Sequence, residues 1–151
     1  MLYMSKKDNG LYIVDIFIAS SKLQRYTSGF TNAQELLHDE VYWDATIREL
    51  QIVGEASNKL IKNAVIDDTY QDIVDFRNLI THAYFGINAQ MVWDILKEDL
   101  QHFIEELFIF IKNNNINLFP AIECAKQEQL TLRNKKTVSY LDDLQKKLKT
   151  S

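Results

Sequence analysis

The sequence predicts an all-α protein, and three observations carry that expectation. Only four Gly and one Pro occur in 151 residues, too few for the many turns of a β-sandwich or barrel. Apolar residues recur at three- and four-residue spacing in every long segment, the period of a helix face. Short clusters of Asn, Asp, Thr, Ser and Gly separate those segments, the residue types that cap helices and form turns. The architecture expected is an up-and-down bundle of four to five helices over residues 1–112, with a C-terminal helical appendage over residues 113–151.

Each element has its own justification. Asn9 or Asp8 is placed to cap a first helix reaching about Tyr26, with Leu11, Val14, Phe17, Ile18 and Leu23 on its buried stripe. Thr27-Ser28-Gly29 ends it, and a short helical turn over residues 35–37 follows. Asp39 then caps a long helix on which Tyr42 or Trp43, Ile47, Leu50, Val53 or Gly54, and Leu60 or Ile61 repeat. Asp67-Asp68-Thr69 stops that helix and starts the next, which runs from about Tyr70 towards Tyr84. Phe85-Gly86-Ile87-Asn88 is a break, with Asn88 as the following N-cap. The helix it opens carries Met91 or Val92, Ile95, Leu96, Leu100, Phe103, Ile104 and Leu107 to about Ile111, and Asn113-Asn114-Asn115 ends it. Pro120 suits the first turn of a further helix. The last segment spaces Val138, Leu141, Leu144 and Leu148 along one face. That stripe must pack on the bundle, on a second copy or on another protein.

Composition narrows the function. Hydrophobic residues make up 46% of the chain, ordinary for a packed domain. Cys124 stands alone, and no Cys/His cluster or calcium-loop pattern occurs, so no disulfide, metal or cofactor is expected and a reducing cytoplasm is the natural compartment. Asp15 interrupts the apolar patch at residues 11–19 and no small-residue cleavage pattern follows it, which argues against a signal peptide. The apolar run at 103–111 contains Glu105 and Glu106 and is too short to span a bilayer. A net charge of −4 argues against nucleic acid held by bulk attraction. The charge is uneven, with a net of −7 over residues 1–122 and +3 over residues 123–151. An RNA ligand would need a local site or this basic tail, which otherwise reads as a solvated face.

Chemistry concentrates in Arg77-Asn78-Leu79-Ile80-Thr81-His82-Ala83-Tyr84. Burying an arginine without a partner is costly, so these polar groups should face solvent, a pocket or an interface. At about 100° per residue, Arg77 and Tyr84 share a face, whereas His82 lies about 140° from Arg77. Either the helix loosens near His82, or a second copy completes the site across a two-fold axis. RNA carries its own nucleophile in the 2′-hydroxyl, so its cleavage needs a proton acceptor, a proton donor and a cation. Histidine titrates near neutral pH and suits either proton role. Arginine is a permanent forked cation suited to phosphate, and Asn78 can orient the imidazole or donate to a phosphate oxygen.

These eight residues resemble the Arg-x-x-x-x-His-x-Tyr signature of HepT-like toxins of the HEPN superfamily. Arg48-Glu49-Leu50-Gln51-Ile52-Val53-Gly54-Glu55-Ala56 is similar to that group's "IGEA" helix. Tyr84-Phe85-Gly86-Ile87 followed by Val92-Trp93-Asp94-Ile95 is similar to the continuation of its motif. Asp99-Leu100 stands where the group often reads Asp-Leu-Pro, and Gln101 departs from it. The resemblance covers roughly residues 8–112. It implies an HEPN bundle that dimerises with the motif helices at the interface, and a metal-independent RNA endonuclease with Arg77 and His82 catalytic. It also implies a toxin opposed by a cognate nucleotidyltransferase antitoxin, which can AMPylate Tyr84. An adenylate there would add bulk and negative charge on the face of Arg77.

Plainer readings stand beside these. Arg77 and His82 can serve a surface ion pair with Asp72 or Asp75, or an oligomer contact. Tyr84 can be an amphipathic tyrosine ending a core helix. Glu55 can orient Arg77 or be a half-exposed helix glutamate, and Gly54 can allow close helix approach. His38 and His102 read as solvated histidines, and Trp43 and Trp93 as core anchors. The alternative function is a non-catalytic HEPN module that binds a nucleotide or partners a nucleotidyltransferase.

Overall fold

The computed structural model describes residues 4–67, 73, 75, 77–78 and 88–150. These residues form helices and the turns between them, with no strand among them. The first helix, α1 (Met4–Thr27), begins earlier than the Asp8 or Asn9 cap expected from the sequence. Asn9 is occupied elsewhere, its Oδ1 accepting a hydrogen bond from Asn63 Nδ2 at 2.9 Å. The helix is continuous through Asn9 from Met4, so Asn9 stands inside it and not at its cap. Val14, Phe17, Ile18 and Leu23 are buried as the stripe requires, and Ile13, Ile16 and Ala19 are buried as well. That breadth marks α1 as the central helix, packed among the described residues on the helices Glu40–Lys62, Leu100–Asn113, Phe119–Thr131 and Lys135–Lys149.

Asp39 is the cap expected from the sequence, and Asn32, which the sequence reading did not single out, is a cap of the same kind. Asn32 caps α2 (Ala33–Leu37) by accepting the Glu35 amide at 2.9 Å. Asp39 caps α3 (Glu40–Lys62) by accepting the Tyr42 amide at 3.1 Å. The buried face of α3 runs through Trp43, Leu50, Val53, Ala56 and Leu60 against α1 and also carries Thr46, Glu49 and Ser57.

Asn88 caps α4 (Ala89–Asp94), its side chain accepting the Met91 amide at 3.0 Å. The helix expected to run unbroken to about Ile111 instead widens into a π turn (Ile95–Asp99) before continuing as α5 (Leu100–Asn113). The Leu100 amide bonds Ile95 O, five residues back. Burial follows the extra residue: Val92, Ile95, Leu96, Leu100, Phe103 and Leu107 all reach the core. Trp93 is half-buried and lies under the Lys97 ammonium at 4.6 Å.

The C-terminal stripe packs on its own bundle. Helices α6 (Phe119–Thr131) and α7 (Lys135–Lys149) pair with each other and with α1. Leu118, Ile122, Leu141 and Leu144 join the same core as Phe17 and Phe103. A Cβ on Gly10 would lie 3.2 Å from Ala121 Cβ, so this glycine permits the close approach of α6. Among the described residues, three helices are closed by a left-handed residue that is not glycine. Ala64, Asn115 and Arg133 take the left-handed conformation at φ 57, 51 and 61°. The residue after each donates five back, as Asn134 N does to Gln129 O at 3.0 Å, which closes the helix in a Schellman turn.

Candidate functional site

Of the eight-residue motif, the described residues include Arg77 and Asn78, both helical. His82 and Tyr84 lie outside the described residues. Ile73, one turn before Arg77, is fully buried. Side chains four apart share a helix face, so the stem of Arg77 rises from the edge of the core. Arg77 is accordingly half-buried, its Nε is shielded from solvent, and it is engaged by neighbouring groups. Asn78 and Asp75 are exposed. Arg77 is thus no free-swinging surface cation: its aliphatic part is packed and its position is held. Truncation to alanine would remove packing as well as charge.

Glu55 is exposed on α3 and has no hydrogen bond or ion pair among the described residues. His38 is exposed at the end of α2. His102 is exposed and interacts with neighbouring groups, as does Asp99 at the end of the π turn. Trp43 is a core anchor, as its position in the α3 stripe requires. No three His, Cys, Asp or Glu side chains converge among the described residues. No helix among them is long and apolar enough to cross a membrane.

A second polar locus escaped sequence reasoning. Glu49 is buried on α3, and burial raises its carboxyl above the usual range while Lys22, Arg48 and Arg25 pull it back down. Tyr26 beside it is held above the usual phenol range by burial and by the negative charge of Glu49. The spacing of Lys22, Arg25 and Tyr26 on α1 was the available signal. It could not be weighed without knowing which helix faces them.

The all-helical fold and the order of the motif define an HEPN-type helical bundle. The family described as Ribonuclease HepT-like matches residues 16–112. A protein of Methanocaldococcus jannaschii named "Putative RNase MJ1380" is 30% identical over 109 residues, 70% of this chain and 99% of that protein. "Putative RNase MJ0127" from the same organism is 30% identical over 113 residues, 73% of this chain and 93% of its own length. "Probable ribonuclease HepT" of Thermococcus cleftensis is 29% identical over 98 residues, 63% of this chain and 88% of that protein. No solved structure matches. The chain belongs to the HepT-like family, and the match spans the whole motif from Arg77 to Tyr84.

Proposed function

We propose that the chain is a ribonuclease toxin of a toxin–antitoxin pair that cuts RNA internally without a metal ion. The observation that carries this reading is the family match across residues 16–112, which contains the Arg-x-x-x-x-His-x-Tyr motif intact. In this reading two copies dimerise with their motif helices together, so that two Arg77 and two His82 share a cleft. That arrangement answers the angle of about 140° between Arg77 and His82 on one helix. One His82 accepts the proton of the RNA 2′-hydroxyl as the 2′-oxygen bonds to phosphorus. The bond to the 5′-oxygen breaks, and the other His82 protonates that leaving oxygen. Products are a 2′,3′-cyclic phosphate and a 5′-hydroxyl end. Arg77 stabilises the charge that builds on the phosphorane oxygens, with Asn78 and Glu55 as orienting groups. A nucleotidyltransferase antitoxin silences the enzyme by transferring adenylate from ATP to the Tyr84 hydroxyl, releasing pyrophosphate.

The test is expression of the chain alone, followed by assay of the purified protein on RNA. Growth arrest and cyclic-phosphate products that persist in EDTA are expected, and both should be lost in His82→Ala. Cleavage by His82→Ala at the wild-type rate would refute the catalytic assignment. Light scattering on the same samples tests the dimer. Intact mass after incubation with the partner and ATP should show adenylate on wild type and none on Tyr84→Phe. Equal modification of both would place the handle elsewhere.

A further inference from the structure

Beside the last turns of α1, a cleft of about 310 Å³ opens against the turn between α6 and α7. Lys22 and Arg25 line it from one side, and Arg133, Lys135 and Lys136 from the other. Five cations thus share one cleft in a chain of net charge −4. Among the described residues none of the five forms an ion pair; the nearby Lys126 pairs instead with Asp142 at 2.7 Å. Glu49 is the buried carboxylate whose charge Lys22 and Arg25 feel, and it offsets at most one of the five.

Three features set the cleft apart from a solvated lysine face. Arg133 holds φ at 61°, where glycine sits freely and a side chain is strained, so a cation occupies the position at a cost to the backbone. Lys135 and Lys136 open the 15-residue helix α7, where the helix dipole is already positive and lysine is disfavoured. The cap residue Asn134 makes no side-chain cap bond there and donates to Gln129 Oε1 at 2.7 Å instead. The Lys135 amide is taken by Arg133 O at 3.1 Å, so it is the two ammonium groups and the positive helix end that favour an anion there. The third feature is aromatic. Tyr26 on the cleft wall meets Tyr42 edge-on at 6.3 Å, and Tyr42 meets Phe30 at 5.7 Å. Tyr42 is 43% exposed.

Cations along a groove with ring faces beside it are the combination that holds single-stranded nucleic acid, phosphates on the charges and bases on the rings. An acidic protein surface would use the cations and leave the rings idle.

We propose that this cleft binds the sugar–phosphate backbone of single-stranded RNA, with Tyr26 and Tyr42 offering stacking faces to its bases. The C-terminal pair, α6 and α7, thereby supplies substrate affinity that the acidic bundle lacks. The choice of RNA rests on the ribonuclease reading; the anion site rests on the geometry.

Anisotropy of a fluorescein-labelled single-stranded RNA, measured in a His82→Ala background, reads binding without cleavage. Lys135→Gln/Lys136→Gln should weaken binding on the order of tenfold and reduce the salt slope by roughly 1.4, about 0.7 for each lost contact. Lys146→Gln/Lys149→Gln makes the same charge change at the far end of α7 and should leave both values unchanged. Tyr42→Ala should weaken binding roughly tenfold with the salt slope intact. Arg133→Gly should weaken binding while raising Tm, which separates lost affinity from lost folding. In the cleaving protein, Lys135→Gln/Lys136→Gln should raise KM and leave kcat alone. Equal weakening by the two double variants would reduce the effect to overall charge and overturn the proposal. So would no weakening by either. Persistent cutting by His82→Ala would sink the catalytic reading, and the same comparison made with a 2′-O-methyl RNA, which carries no 2′-hydroxyl nucleophile, still tests the cleft.

Discussion

Helices α1–α5 and the pair α6–α7 meet along the central helix, and they are held in different ways. In the first region large apolar side chains with almost no exposure interlock, among them Phe17, Leu50, Leu60 and Phe103. In the second the seam is thinner: Leu118, Ile122, Leu141 and Leu144 carry it, with Thr137 and Gln129 buried beside them. Charge divides the same way, with a net of −7 over residues 1–122 and +3 over residues 123–151. The family match ends at residue 112 and leaves the second region outside it. The reacting groups proposed for RNA therefore sit on an acidic bundle, while the surplus of cations sits on the helices added to it. Affinity and chemistry are separable in such a molecule, because phosphate attraction acts at long range and proton transfer only at contact.

The largest expected effect tests the chemical half. Arg77→Gln keeps much of the packed stem and removes the charge, and kcat/KM should fall by roughly 100- to 1000-fold. A variant that retains wild-type cleavage would show that the guanidinium is not the reacting cation. Next comes the thinner seam. Leu141 is fully buried, so Leu141→Ala should cost roughly 2–5 kcal/mol and lower the Tm of one shared transition. Calorimetry showing a separate early transition, with the main one unmoved, would make α6–α7 an independent appendage.

Smaller effects sharpen the comparison. Ala64→Gly and Arg133→Gly relieve the same left-handed strain, one in each region, and each should stabilise by about 1 kcal/mol or less. Only the second should alter RNA binding, as titration of both would reveal. The smallest effect lies on the seam itself. Asp15 sits at the surface of α1 but is crowded by protein and faces Glu128 of α6, which together raise its carboxyl to about 6. A raised carboxyl favours folding while protonated, so the advantage is present at about pH 4 and is lost as pH rises through about 6. Asp15→Asn should therefore stabilise at pH 7 by about 1 kcal/mol or less, after discounting for solvent screening, and change little at pH 4. Thermal melts at the two pH values check the sign; equal stabilisation at both would remove the carboxylate repulsion from the seam.

What the sequence determined by itself is what short-range physics determines. The Asp39 and Asn88 caps, Pro120 in the first turn of α6, and the stripes of α3 and α7 were all legible, because capping and helix periodicity act within a few residues. The motif from Arg77 to Tyr84 was legible for the same reason, as a run of residue types rather than as a geometry. Tertiary structure decided everything that depends on a distant neighbour. It spread burial around α1, turned Asn9 from a cap into a partner of Asn63, and opened the π turn at Ile95–Asp99. It placed Ala64, Asn115 and Arg133 at left-handed helix ends that no glycine announces. It also brought Arg25 to Thr137, 112 residues apart in sequence and 3.3 Å apart in space. The cationic cleft exists only across that gap, since no local pattern on α1 shows that a second cluster of cations will face it.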